Sequence, residues 1–94
     1  MKAYISGKIT GSESDAEEKF QDAESKVAAM GLIPVNPMTI NHEHDLTWES
    51  YMKEDLKALL DCQAIYMLPC WKDSKGATIE HNLALELGLT VIYA

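Results

Sequence analysis

Residues 64–93, AIYMLPCWKDSKGATIEHNLALELGLTVIY, decide the fold. Ala64 to Leu68 is a short apolar run bounded by Pro69 and reads as a strand. Cys70 to Lys75 reads as a loop, and Ala77 to Leu87 carries helical spacing closed by Gly88. Thr90 to Tyr93 is strand-like again. A strand, a helix and a strand of these lengths form a parallel crossover unit. Working back toward the amino end, the same alternation recurs. Lys2 to Ser6 is strand-like and ends at Gly7. Ser14 with Glu17 has the spacing of a capping box. From there Ala16, Phe20, Ala23, Val27 and Met30 fall on one helical face, and Gly31 is a stop. Leu32 to Val35 is a second strand, on an edge because of Pro34. Asn36 to Leu46 is polar loop, and Thr47 can cap a helix running to about Leu60.

The order β-α-β-α-β-α-β predicts an α/β fold: a doubly wound, four-stranded parallel sheet with right-handed crossovers. Strand order 2-1-3-4 gives a flavodoxin-like or Rossmann-like three-layer domain over residues 1–94. Ligands in such sheets sit beyond the carboxyl ends of the strands, where the winding reverses. That places a cleft between strands 1 and 3, at Ser6-Gly7-Lys8 and the loop from Pro69 to Gly76.

Composition narrows the function. Ninety-four residues and 10.5 kDa allow one core. A chain of this size buries only about 60–65% of its unfolded surface, so a homodimer or larger homo-oligomer is expected. No run of about 20 apolar residues exists, and no signal-peptide pattern opens the sequence, so a cytoplasmic protein is expected. Eight basic residues, all lysine, stand against fifteen acidic ones, for a net charge of −7. Extended nucleic acid and anionic membrane are therefore poor partners. A small ligand remains compatible. Cys62 and Cys70 form no CxxC pair and read as reduced thiols, one or both buried.

Two carboxylates break the helical pattern. In the second helix Trp48, Tyr51, Met52, Leu56 and Leu59 form an apolar arc with Asp55 near its centre, while Lys53, Glu54 and Lys57 face the other way. In the third, Glu80, Leu83, Ala84 and Leu87 form the inward stripe and Glu86 points outward. An unpaired buried carboxylate costs several kcal/mol or takes up a proton. Glu80 could escape to water from a first helical turn and gain from the helix dipole, by roughly 0.3–1 kcal/mol. Escape is harder for Asp55 in mid-helix. A buried network or a subunit contact is the other structural reading. As a cleft-lining pair, the two acids suit glycosyl chemistry, one attacking or stabilising an oxocarbenium-like centre and the other handling protons or hydroxyls.

Three segments resemble the nucleoside 2-deoxyribosyltransferase superfamily, which includes the deoxynucleoside monophosphate N-glycosidases. They are Tyr4-Ile5-Ser6-Gly7-Lys8-Ile9-Thr10-Gly11, then Lys53-Glu54-Asp55-Leu56 with Asp61, and Asp73-Ser74-Lys75-Gly76-Ala77-Thr78-Ile79-Glu80 with Ala84 and Gly88. Together they span nearly the whole chain in the family's order. The resemblance implies that Glu80 is a nucleophile for the anomeric carbon, Asp55 a ligand of the sugar hydroxyls and Tyr4 the orienter of Glu80. It places Ser74 and Gly76 near the 5′ end of a nucleoside or nucleotide and Asp73 near the base. It implies no metal or cofactor. Thr78 stands where the family has a glycine and Thr10 where nucleotide-cleaving members have an arginine; Lys8 could supply a point charge instead.

Other features carry two readings each. His42 and His44, within Asn41-His42-Glu43-His44-Asp45, could hold a divalent metal or belong to a solvated loop. His81 is a partly exposed helix residue or a base beside Glu80. Gly7 is a plain strand exit or lets backbone amides approach a ligand, and Ser6 and Lys8 flank it. Trp71 could stack on a nucleobase or cover the core. Trp48 reads as core or oligomer contact. The functional expectation is cleavage or transfer at an N-glycosidic bond; the alternatives are a non-catalytic nucleoside-binding module and an interaction subunit.

Overall fold

A computed structural model describes residues 1–9, 13–40, 42–69 and 71–94. Thr10, Gly11, Ser12, Asn41 and Cys70 lie outside the described residues. Four parallel strands, β1 (Lys2–Ser6), β2 (Ile33–Val35), β3 (Ala64–Met67) and β4 (Thr90–Tyr93), form one sheet in the order β2-β1-β3-β4. Helices α1 (Glu13–Ala29), α2 (Trp48–Leu60) and α3 (Lys75–Glu86) cross between them. The architecture is the expected three-layer α/β fold. β1 is central, with Ala3 opposite both Pro34 and Ala64, so Pro34 sits on the edge strand where its missing N–H costs least.

Strand alternation divides the core into two halves. Ala3, Ile5, Ala64 and Tyr66 face α1 and pack on Ala16, Phe20, Ala23 and Val27. Tyr4, Ile65 and Met67 face the opposite way and pack on Leu59 of α2 and on Ala77 and Ala84 of α3. Gly31 and Gly88 follow α1 and α3 with φ of 81° and 72°, the left-handed conformation that ends a helix without a Cβ penalty.

Several details depart from the sequence reading. Helix α1 begins at Glu13, so Ser14 is inside the helix and not its cap. Met30 and Leu87 are about half exposed, because each lies past the last helical residue, where the stripe no longer meets the sheet. Short 3-10 turns at Pro37–Thr39 and Trp71–Asp73 replace parts of the expected loops. Cys62 is a buried free thiol, its Sγ against the carbonyl oxygen of Ala58. None of the described helices is long and apolar enough to cross a membrane.

Candidate active site

Residues 4 and 6 of β1 share a face, and both end in a hydroxyl. Tyr4 donates to Glu80 Oε2 at 2.6 Å and Ser6 donates to Glu80 Oε1 at 2.7 Å. Glu80 is 5% exposed. Its depth follows from where α3 starts. Ser74 is the N-cap, its Oγ accepting from the Ala77 N–H at 3.1 Å, so the helix opens at Lys75. Glu80 thus lies in the second turn, not the first, and has no path to water past the helix end. Burial raises the Glu80 carboxyl to about 7, against the pull of the Tyr4 and Ser6 hydrogen bonds and aided by the negative field of Asp55. Burial, then the charges of Glu80 and Asp55, push Tyr4 well above the ordinary phenol range, which keeps it a neutral donor.

Asp55 projects from the middle of α2, a helix capped by Thr47 Oγ1 on the Ser50 N–H. Its side chain is 14% exposed, and Oδ1 is buried without a hydrogen bond. His42 Nε2 lies 3.7 Å from Oδ1, too far for a hydrogen bond. Burial raises the Asp55 carboxyl to about 6, partly offset by His42 and His44.

Tyr4, Asp55 and Glu80 line one cavity of about 660 Å³ at the carboxyl end of β1. Gly7, Ser74, Gly76 and His42 also line it, with an apolar wall that includes Ile9, Met38, Tyr51 and Met52. A Cβ on Gly76 would come within 2.9 Å of Met52 Sδ, and one on Gly7 within 2.9 Å of Leu68 Cβ. Gly7 therefore answers a packing need against β3's exit as well as lining the cavity. The volume lies within the usual range for small-molecule sites.

Other expected site residues are elsewhere. Ser6 is fully buried and bonds Glu80, so it positions the carboxylate and does not line the cavity. Lys8 is half-buried and is not among the lining residues. Trp71 and Asp73 line a second cavity of about 350 Å³ beyond β3 and β4, not the Glu80 cavity. Trp71 stacks on His81 with ring centroids 4.1 Å apart. His81 is buried, not partly exposed, and its Nε2 meets the Tyr93 hydroxyl at 2.7 Å. It serves that aromatic cluster and does not line the cavity beside Glu80. Trp48, read as core or oligomer contact, is a cavity wall about one-third exposed, with Lys75 Nζ 4.4 Å from its ring centroid.

The sequence reading left His42 between a metal ligand and a solvated loop residue. Among the described residues no group of three His, Cys, Asp or Glu side chains is placed to hold a metal ion. Instead the turn at Pro37–Thr39, capped by Asn36 Oδ1 on the Met38 N–H, brings the following loop back over α2. His42 reaches the cavity wall there and packs on the Tyr51 ring. The only hint in sequence is a histidine just after a Pro-initiated turn.

A parallel α/β sheet with an acid-lined cleft at its winding reversal is the class that fold and site define. Within it, the chain belongs to the family described as a domain of unknown function, DUF4406, whose model matches residues 1–93. No curated protein matches the chain.

Proposed function

We propose that this protein cleaves or transfers the N-glycosidic bond of a nucleoside or nucleotide, with Glu80 as the nucleophile. The observation that supports it is the shared cavity: Glu80, Asp55 and Tyr4 line one hollow of about 660 Å³. Ionised Glu80 attacks C1′ of the sugar as the C1′–N bond breaks, and the bonding pair leaves with the base. The base takes a proton. Water, or a second base, then attacks C1′ and releases Glu80. Tyr4 and Ser6 hold the carboxylate by one oxygen each, which fixes its plane while lone pairs remain for attack. Asp55, with no hydrogen bond at Oδ1, has capacity left for a sugar hydroxyl. The apolar wall receives the base.

Incubation with 2′-deoxynucleosides and their 5′-monophosphates, followed by chromatography, tests this reading. Free base should accumulate, and Glu80→Ala should abolish it. No base release from any of them overturns the enzymatic reading. A nucleoside that then still raises the melting temperature favours a non-catalytic binding module. We also read the protein as a cytoplasmic homo-oligomer, since a chain of this size alone buries only about 60–65% of its unfolded surface; a monomer by analytical ultracentrifugation would refute the oligomer.

A further inference from the structure

The loop histidines form a directed chain. His44 Nδ1 lies 2.6 Å from the carbonyl oxygen of Asp45. A carbonyl only accepts, so His44 Nδ1 carries a hydrogen. His44 Nε2 lies 2.6 Å from His42 Nδ1, so one hydrogen sits between the two rings. At the far end, His42 Nε2 faces the Pro37 carbonyl oxygen at 3.4 Å and Asp55 Oδ1 at 3.7 Å. Both are acceptors when Asp55 is ionised. A bare Nε2 would set three lone-pair groups against one another where His42 and Asp55 are 13% and 14% exposed. A proton on Nε2 removes that conflict. Asp55, His42 and His44 then hold one proton more than two neutral rings and a carboxylate.

The surroundings favour that proton. Glu54 and Asp55 face the rings from α2, Glu54 being tied to Lys57 Nζ at 3.0 Å. Tyr51 packs its ring on both histidines at 4.8 Å. Glu43 and Asp45 flank them in the chain.

Resting on the glycosidic reading above, we propose that His42 is the proton donor to the departing base, its ring oriented by His44 at Nδ1 and its Nε2 set beside Asp55. The balance is simple. As the C1′–N bond breaks, the base nitrogen keeps the pair and takes the Nε2 proton. Glu80 and C1′ form an ester. Water attacking C1′ loses its proton to the now neutral His42, and Glu80 leaves as carboxylate.

A leaving-group comparison tests it. A departing nucleobase gains from protonation, whereas 4-nitrophenolate leaves without it. In a single turnover, His42→Gln should slow release of base from 2′-deoxynucleosides about 10²–10⁴-fold, and should slow release of 4-nitrophenol from 4-nitrophenyl 2-deoxyribofuranoside far less. Equal losses on both substrates, or no loss, overturn the donor role while leaving the glycosidic reading standing. If wild type cleaves neither substrate, the glycosidic reading itself falls and takes the donor role with it. A folding defect in the variant is bypassed by ¹⁵N spectra of wild-type histidines. Hydrogen on His42 Nε2 at pH 7, lost in Asp55→Asn, is the expected result; a bare Nε2 in wild type overturns the proposal.

Discussion

The two faces of β1 behave as different proteins would. Ala3 and Ile5 meet α1 in an apolar interface of Ala16, Phe20, Ala23 and Val27, with no buried charge among the described residues there. Tyr4 and Ser6, one residue out of step, meet a buried carboxylate on α3 and a second acid beyond it on α2. A period of two thus separates apolar packing from the buried carboxylate along five residues. The α1 face has no polar obligation, although Ile5 and Phe20 also reach the wall of the cavity. On the other face, Glu80 is held by its neighbours in a form that water would stabilise better.

Five substitutions set the two faces against each other. Phe20→Ala, on the apolar face, should cost about 3–5 kcal/mol in urea unfolding. Glu80→Gln should do the opposite. The carboxyl is raised from 4.5 to about 7 in the fold, so the unfolded chain releases its proton first as pH rises. The burden on the native state is absent below about pH 4.5, grows through the interval and is complete above about 7. Wild type should therefore lose stability over that window. The glutamine variant should be more stable at pH 8 by up to roughly 3 kcal/mol, with the gain gone at pH 4. A variant no more stable at pH 8 would mean that Tyr4 and Ser6 fully satisfy the charge.

Asp55→Asn comes next. Because Oδ1 has no hydrogen bond to lose, the melt should shift by less than the roughly 1–3 kcal/mol that a broken buried hydrogen bond costs, while nucleoside affinity falls. A large stability loss with affinity intact would assign Asp55 to the core. The smallest effect expected is at Gly76. Its added Cβ meets the flexible end of Met52, so Gly76→Ala should cost less than about 1 kcal/mol, yet narrow the cavity and weaken ligand binding. Gly7→Ala meets Leu68 near its backbone and should cost more, about 1–3 kcal/mol.

How much of this was legible beforehand follows from which residues obey a local period. The strands and crossovers repeat a pattern that one dimension contains, and both inward acids showed because helical spacing exposes a charge among apolar neighbours. Ser6 was visible as a loop residue but not as a clamp, since its partner is 74 positions away. Strand alternation from Tyr4 would have paired the two hydroxyls. His81 sat next to Glu80 in sequence and turned instead to the Trp71 ring and the Tyr93 hydroxyl, because one helical step is about 100°. His42 depended on a 3-10 turn that bends its loop over α2, a placement set by tertiary packing alone.

The central claim is that Glu80, clamped by two hydroxyls beside a second acid, is a nucleophile toward a sugar carbon. Acid-quenched mixtures of protein and 2′-deoxynucleoside, digested and read by mass spectrometry, address it directly. A deoxyribosyl unit gained on the peptide carrying Glu80, and absent in Glu80→Gln, is the predicted result. Base release with no adduct on that peptide, or with Glu80→Gln as active as wild type, would contradict it.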